Sequence, residues 1–187
     1  MPRARGFAHT IDRWFPTPQF LLPRATGVDI SDASLKWLTL GPQHGSSEIA
    51  AWGDVPLPPG VVVHGVLKDV HALAQVLKET KPHLAASAAH AALPEEAAYV
   101  FSMHIPPDID RRQIMAMIEF EFEGRVPIPP SAAVYDFSVI EEREGSDTSS
   151  GLGASGKGIG VMVFPRELAA AYTAAFDEAG ITLLSLE

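Results

Sequence analysis

The sequence has no cysteine, no long apolar run and few basic residues. The absence of cysteine among 187 residues excludes disulfide bonds, thiolate metal sites and a cysteine nucleophile, and it is compatible with a reducing cytosol. No stretch approaches the roughly 20 consecutive apolar residues that cross a bilayer, so we expect no membrane span. What remains is 47% hydrophobic and 20% charged, a composition with which a chain of this length can bury a core.

Basic residues are not only few but unevenly placed. The chain has 14 Lys and Arg against 23 Asp and Glu, which gives a net charge of -9. Residues 1–27 hold four arginines against one aspartate, so the rest of the chain is more acidic still. Binding to nucleic acid depends on basic patches that neutralise phosphates. We therefore expect no nucleic-acid partner.

Proline and glycine divide the chain into short elements, with 16 Pro and 15 Gly. The first 24 residues form an aromatic, proline-broken extension. Beyond them the pattern predicts a hairpin, short strands and one amphipathic helix that begins at Asp69. The strands are expected at 27–38 as a hairpin, then at 48–56 and 61–66, and at 84–93 between two prolines.

The second part of the chain mixes strands with two further helices. The spacing of Asp110 and Gln113 predicts a capping box at the start of a helix that ends at Gly124. Another helix, 166–179, should end at Gly180. Strands are expected at 98–105, 133–141, 159–164 and 181–184. Together these elements predict an α/β fold with a mixed sheet and flanking helices.

Most candidate chemical motifs are better explained without catalysis. Gly151–Gly158 matches G-x-G-x-x-G, but a strand follows it where a phosphate-binding motif needs a helix, so we interpret residues 143–158 as a Gly/Ser-rich loop. The seven histidines show no metal-ligand spacing. Glutamates at alternating positions 119, 121 and 123 are typical of a solvated helix face. We predict no catalytic residues.

The turn between the first two strands allows two interpretations. A tight loop between antiparallel strands can present backbone amides to a phosphate while an Asp positions a hydrated metal and a Lys approaches the charge. The alternative is an ordinary polar hairpin. The candidate residues for nucleotide binding are Asp29, Ser31, Asp32, Ala33, Ser34 and Lys36, with Asp29 as the candidate Mg²⁺ residue through water.

The order of several segments resembles one family. Gly27–Lys36 is similar to the first phosphate loop of actin-like ATPases, and the whole set resembles the N-terminal half of the PilM family of type IV pilus assembly proteins, which is related to the cell-division protein FtsA. The other segments are Leu57–Val61 with Gly65–Asp69, Leu93–Glu96, Ile118–Glu121 with Val126–Pro129, Tyr135–Ile140 and Tyr172–Gly180.

The resemblance implies an actin-like (ribonuclease H-like) lobe with an inserted small α+β subdomain. The lobe would take residues 25–93 and 159–187, and the subdomain residues 94–142. The family implies a cytoplasmic scaffold or adaptor at the inner face of the inner membrane, with self-assembly possible. Its partner would be the N-terminal peptide of a PilN-like inner-membrane protein, in a groove for which we expect Ile114, Ile118 and Phe122 as apolar walls.

The resemblance also implies ATP and Mg²⁺ binding by a longer protein. The second phosphate loop and the adenosine pocket of this fold belong to a second half, so we expect this chain to be a fragment that binds no nucleotide tightly. Ser31 and Asp32 depart from the usual loop, because a second carboxylate beside a triphosphate is unfavourable. We therefore expect weak ATPase activity or none. The alternative is an FtsA-like division scaffold or an actin-fold ATPase or kinase.

Overall fold

The computed structural model describes residues 24–41, 48–140 and 157–187. A five-stranded mixed sheet and a three-stranded antiparallel sheet organise this part of the chain. The N-terminal extension and most of the Gly/Ser-rich stretch lie outside the described residues. The described strands are β1 Ala25–Ile30, β2 Ser34–Leu40, β3 Ile49–Pro56, β4 Val62–Val63, β5 Val66–Leu67, β6 Ala88–Ala92, β7 Tyr99–Ile105, β8 Ala133–Ile140, β9 Lys157–Pro165 and β10 Thr182–Leu186.

The larger sheet has the strand order β10-β6-β1-β2-β3. The predicted hairpin is confirmed, because β1 pairs antiparallel with β2, and β2 continues antiparallel to β3. Strand β6 pairs parallel with both β1 and β10, which requires crossover connections. These connections carry the two helices α1 Val70–Thr80 and α3 Arg166–Ala179. The topology is that of an α/β lobe.

The ends of the helices follow local rules that the sequence contains. Asp69 caps α1 by accepting a hydrogen bond from the amide of Ala72 at 2.9 Å. Helix α3 ends at Gly180, whose φ of 66° is left-handed, and the amide of Ile181 donates back to the carbonyl of Phe176 at 3.0 Å. Both predicted boundaries are confirmed.

Helices α1 and α3 cover one face of the five-stranded sheet. The alternation of β1 directs Val28 and Ile30 into this layer, where they join Leu73, Leu77 and Phe176 in one buried cluster. The indole of Trp37 lies across the position where a Cβ of Gly53 would stand, at 2.4 Å, so that only glycine fits there on β3. This face therefore holds the main core.

Two buried threonines in the covered face have a shared acceptor. The hydroxyl of Thr26 donates to the carbonyl of Leu84 at 2.8 Å, and the hydroxyl of Thr39 donates to the same carbonyl. The residue Leu84 follows a short 3-10 turn, Lys81–His83, after α1. Because buried polar groups need partners, this cluster fixes the loop after α1 against the first hairpin.

The three-stranded sheet has the order β7-β9-β8, and helix α2, Arg111–Arg125, packs on one of its faces. The predicted capping box of α2 is present, with Asp110 and Gln113 bonded reciprocally. The helix ends at Arg125, one residue beyond the predicted Gly124, and the described strand β9 begins at Lys157, within the predicted loop. This sheet and helix form a second, separate core. Strand β9 is the central strand of this sheet, so it belongs to the subdomain and not to the lobe, in which residues 159–187 were expected.

Candidate functional site

The face of the five-stranded sheet opposite the two helices is open, and it carries the predicted nucleotide residues on the first two strands. Asp29 and Lys36 are register partners across β1 and β2, and Lys36 is in turn the partner of Asp54 on β3. All three side chains are exposed. The open face therefore carries a row of alternating charges across three strands. The motif at 29–36 did not predict this row, because Asp54 lies outside the motif.

A shallow trough lies over this row, next to β6. Its volume is about 360 Å³, and its lining includes Gly27, Asp29, Lys36, His90 and Ala92. The small residues Gly27 and Ala92 leave room above the sheet, while the charged pair stands at one side. The structure thus brings Asp29 and Lys36 together beside a space that can hold a small polar group.

His90 belongs to a hydrogen-bonded chain at the far side of the trough. Its Nδ1 lies 2.7 Å from the hydroxyl of Ser185, and that hydroxyl donates to Glu187 Oε1 at 2.9 Å. Because the hydroxyl has one proton and gives it to Glu187, Nδ1 of His90 is the donor of the first bond. No spacing in the sequence connects His90 with Ser185 or Glu187; only the parallel pairing of β6 with β10 joins these residues.

The turn between β1 and β2 is held from within by its serines. The amide of Ser31 donates to the carbonyl of Ser34 at 3.0 Å, and the amide of Ser34 donates to the hydroxyl of Ser31 at 3.2 Å. The carbonyl of Ala33 accepts from the amide of Leu57 at 2.9 Å. Ser31 and Ser34 therefore close the turn, and their amides are engaged there.

The carboxylate of Asp32 binds the backbone of another turn. Its Oδ2 accepts from the amide of His64 at 2.7 Å, and its Oδ1 accepts from the amide of Gly65 at 3.0 Å. These two hydrogen bonds, first that of Gly65 and then that of His64, lower the pKa of Asp32 from 3.8. Asp32 is thus the anion held by a small backbone nest.

The single strand predicted at 61–66 is wrong, because the turn that binds Asp32 interrupts it. His64 and Gly65 have φ values of 50° and 72°, as in a two-residue type I′ turn between β4 and β5. A His-Gly pair between two apolar dipeptides is a signal from which this hairpin could have been predicted. The segment therefore forms two very short strands, and the backbone amides of the turn between them bind the carboxylate of Asp32.

Gly65 connects this turn to the small subdomain and to α3. Its carbonyl accepts a hydrogen bond from the buried hydroxyl of Tyr172 at 3.3 Å. A Cβ at this position would stand 2.9 Å from the Cβ of Pro94 and 3.2 Å from the amide of Ala97. Burial raises the pKa of Tyr172, so this phenol stays a neutral donor. Gly65 is therefore a close-packed junction of the hairpin, helix α3 and the segment that enters the subdomain.

The three residues predicted to line a peptide groove lie in a different environment from the one we expected. Ile114, Ile118 and Phe122 face the three-stranded sheet, and their side chains are 8%, 0% and 1% exposed. They form the core of the subdomain because the apolar stripe of α2 is the surface that the sheet covers. The stripe is real, but it does not form an open wall in this structure.

Two surface grooves do border the small subdomain. The first, about 420 Å³, lies between the β4–β5 turn, the start of β7 and the N-terminal part of α3. Its walls include Leu67, Leu168 and Ala171, and Glu96 and Glu167 stand at its rim. The second, about 460 Å³, lies between Met162 and Phe164 of the subdomain sheet and Leu186 of β10. We call the first the inter-subdomain groove.

The described residues contain neither a clustered metal site nor a membrane-spanning helix. No group of three or more His, Cys, Asp and Glu side chains there is arranged to hold a metal ion. No helix in the same residues is long and apolar enough to cross a membrane. Among the described residues, Asp29 therefore has no further acidic or histidine ligands grouped around it.

The order of strands, the two covering helices and the inserted three-stranded subdomain define an actin-like lobe. The family model described as type IV pilus assembly protein PilM matches residues 27–152. These 126 residues are well over half of the 187. The chain therefore belongs to the PilM family, as its ordered motifs predicted.

Solved structures support the same fold. A chain of a PilM-PilN type IV pilus biogenesis complex matches with a TM-score of 0.73 and 22% identity, over 88% of this chain and 47% of that one. The cytoplasmic domain of EpsL, an inner membrane component of the type II secretion system of Vibrio cholerae, matches with a TM-score of 0.53 and 16% identity, over 87% of this chain and 56% of that one. This chain thus spans about half the length of these structures.

Proposed function

We propose that this chain forms a scaffold or adaptor lobe in type IV pilus assembly and binds the N-terminal peptide of a PilN-like inner-membrane protein. Membership of the PilM family over residues 27–152 carries this proposal. The similar structure titled as a PilM-PilN complex supplies the class of partner. The matched family favours this role over a cell-division scaffold. Such a lobe works in the cytoplasm, peripheral to the inner face of the inner membrane.

The inter-subdomain groove is the best candidate for the peptide site. It combines apolar walls from both parts of the molecule, including Leu67 and Leu168 of the lobe and Tyr99 of the subdomain, with an open top along which an extended segment can lie. It also borders the β4–β5 turn, which Asp32 and Tyr172 hold in place. A peptide would therefore meet a largely pre-formed surface, which lowers the ordering cost of binding.

The charge at the rim selects the kind of peptide. Glu96 and Glu167 are exposed glutamates that line the groove, one from the subdomain and one from the first turn of α3. Two carboxylates attract a free amino terminus or a Lys or Arg side chain, and they repel an acidic segment. We expect a peptide with one or two apolar anchors next to a positive charge.

The test uses a synthetic peptide with the N-terminal sequence of the PilN-like protein, titrated into the isotope-labelled chain. We expect amide shifts centred on residues 64–67, 96–99 and 167–171. Glu96→Gln should weaken binding about three- to tenfold at low salt, because it removes one attractive charge at the rim. The matched control is Glu95→Gln, which changes a neighbouring exposed glutamate outside the lining of the groove.

The position of the shifts decides between sites. Shifts confined to residues 134–138 and 160–164 would move the peptide to the second groove and refute the inter-subdomain site, while leaving the adaptor role intact. No shift at millimolar peptide would count against the adaptor role itself.

The proposal includes Mg²⁺ and ATP binding by the longer protein, for which this lobe would supply one phosphate loop. Asp29 and Lys36 fit that role, because they stand together on the open face beside the trough. Asp32 does not, because both of its oxygens already accept backbone hydrogen bonds. The metal would neutralise phosphate charge, Asp29 would orient its water shell and Lys36 would approach a phosphate oxygen. Nothing in this arrangement requires hydrolysis.

Titration of Mg-ATP into the labelled chain tests this part separately from the peptide. We expect weak binding, with shifts at Asp29, Lys36 and the neighbouring His90. Asp29→Asn should weaken it at least threefold, whereas Asp54→Asn, a change at the other register partner of Lys36, should not. Equal binding by the wild type and Asp29→Asn would remove Asp29 from the site.

A further inference from the structure

One wall of the inter-subdomain groove belongs to the hairpin β4–β5, which is too short to be stable by itself. Each of its strands has two residues, joined by two register pairs, Val62 with Leu67 and Val63 with Val66. A hairpin of two strands alone is marginally stable at best in water. Its turn also holds a non-glycine residue, His64, at a φ of 50°, a conformation that L-residues adopt uncommonly. The position of this wall therefore depends on contacts from elsewhere in the fold.

Asp32 supplies such contacts from the turn between β1 and β2. One carboxylate oxygen accepts from the amide of His64 at 2.7 Å, and the other accepts from the amide of Gly65 at 3.0 Å. Hydrogen bonds to an ionised acceptor are about twice as strong as those between neutral groups. The two bonds fix the directions of consecutive amides, and with them the direction in which β5 leaves the turn.

The remaining contact of this turn with a distant residue is longer. The hydroxyl of Tyr172 donates to the carbonyl of Gly65 at 3.3 Å, beyond the usual range for such a bond. Of the three hydrogen bonds described between this turn and distant side chains, the two to Asp32 are therefore the shorter. Asp32 is thus the main anchor of the turn.

Asp32 is not part of the groove surface. The hairpin contributes His64, Val66 and Leu67 to the lining, and Asp32 is not among the lining residues. A peptide in the groove would meet the residues that Asp32 holds without meeting Asp32. In the sequence this carboxylate departs from the usual phosphate loop, and the proposed nucleotide role does not use it. Its contact with the hairpin gives it a role of another kind.

We propose that Asp32 is a positioning residue of the peptide site, which holds the β4–β5 hairpin in the conformation that the peptide binds. This inference rests on the proposed peptide role of the inter-subdomain groove. Without Asp32 the hairpin samples other conformations, and the apparent dissociation constant rises in inverse proportion to the fraction that remains competent. The loss lies in association, because the contacts that govern dissociation of the bound peptide stay the same.

The rates of peptide binding separate positioning from contact. We expect Asp32→Ala to lower the association rate constant of the synthetic PilN-like peptide at least fivefold and to leave the dissociation rate constant within twofold. Asp32→Asn, which keeps one acceptor oxygen, should lie between the wild type and Asp32→Ala. Val66→Ala shortens a side chain that lines the groove and is 38% exposed, so it should instead raise the dissociation rate constant. An effect of Asp32→Ala confined to dissociation would overturn the proposal.

Asp110→Ala controls for a general loss of stability. Asp110 also accepts a backbone amide, that of Gln113 at 2.9 Å, but at the start of α2 and outside the lining of the groove. This variant should leave both rate constants unchanged. In the free chain, the amide of Gly65 should exchange with solvent at least tenfold faster in Asp32→Ala than in Asp110→Ala.

The outcomes distinguish this inference from the adaptor role. Equal exchange of the Gly65 amide in Asp32→Ala and Asp110→Ala, or equal effects of the two variants on association, would refute the positioning role. Peptide binding that Asp32→Ala does not alter would refute this inference alone. A wild-type chain that binds no peptide would refute the adaptor role and this inference with it.

Discussion

The two faces of the five-stranded sheet differ in almost every property although the same strands build both. On the covered face, Val28 and Ile30 pack beneath helices α1 and α3, and buried threonines share the carbonyl of Leu84. On the open face, the alternate positions of the same strands carry the row that begins with Asp29 and Lys36. The covered face therefore carries the buried core, and the open face carries exposed charged and apolar side chains.

The two aspartates of the first hairpin show the same division. Asp29 is exposed on the open face, whereas Asp32, three residues later, is bound to the amides of His64 and Gly65. In the sequence both were candidates for nucleotide binding, with Asp29 alone as the candidate Mg²⁺ residue. In the structure Asp32 fixes the first hairpin to the β4–β5 turn, whereas the side chain of Asp29 remains exposed. Substitution of each aspartate tests this difference.

The largest effect is expected from a substitution in the covered face. Phe176→Ala removes a side chain that is fully buried between α3 and the sheet, and it should lower the free energy of unfolding by about 3–5 kcal/mol. On the open face, Trp52→Ala removes a larger aromatic side chain that is 74% exposed, and it should change stability by less than about 0.5 kcal/mol in dilute solution. Urea denaturation of both variants measures the two changes in the free energy of unfolding. Similar losses of stability would contradict the expected difference between the two faces.

An intermediate effect is expected at the junction below the hairpin. Gly65→Ala adds a Cβ at a φ of 72°, within 2.9 Å of Pro94, and should destabilise the chain by about 1–3 kcal/mol. Gly60→Ala is the matched control, since Gly60 has a φ of 88° but no neighbour within 4 Å of the added atom. The difference between the two melting shifts isolates the cost of the contact. Equal shifts would mean that backbone conformation alone explains both.

A smaller, pH-dependent effect is expected from Asp32. Because its pKa is lowered in the folded state, its contribution is present above 3.8 and is lost as the pH falls through the folded pKa. Asp32→Asn should therefore be less stable than the wild type at pH 7, and this difference should shrink below pH 3.8. Asp29→Asn is the control and should follow the wild type throughout. Denaturation series at several pH values would contradict this if both variants behaved alike.

The smallest effect is expected on the outer surface of the helical layer. His71 of α1 lies 2.8 Å from Glu178 of α3, and the hydrogen bond with this carboxylate raises the pKa of His71 above 6.5. The stability that this contact gives the fold is fully present below pH 6.5 and is lost as the pH rises through the folded pKa of His71. The Glu178→Gln substitution should return the pKa of His71 towards 6.5, and an NMR titration of His71 in this variant measures the change. An unchanged value would exclude Glu178 as the cause.

Local patterns predicted most of the fold. The alternation of β1, the cap at Asp69 and the capping box at Asp110 depend on neighbouring residues, and each is present in the structure. The apolar stripe of α2 was also identified, but its role was not. A stripe with Ile114 and Phe122 fits a core as well as a groove, and only the packing of the three-stranded sheet against it shows that it is a core.

The site was less predictable because its contacts join distant parts of the chain. The sequence by itself determined the hairpin, its polar turn and the order of motifs that places the chain in the PilM family, since these depend on residues close in sequence. The tertiary structure alone decided that Asp32 binds the turn at Gly65, that His90 meets Ser185 and that Lys36 stands between Asp29 and Asp54. Such choices follow from strand order and register, which bring together residues that no local pattern connects.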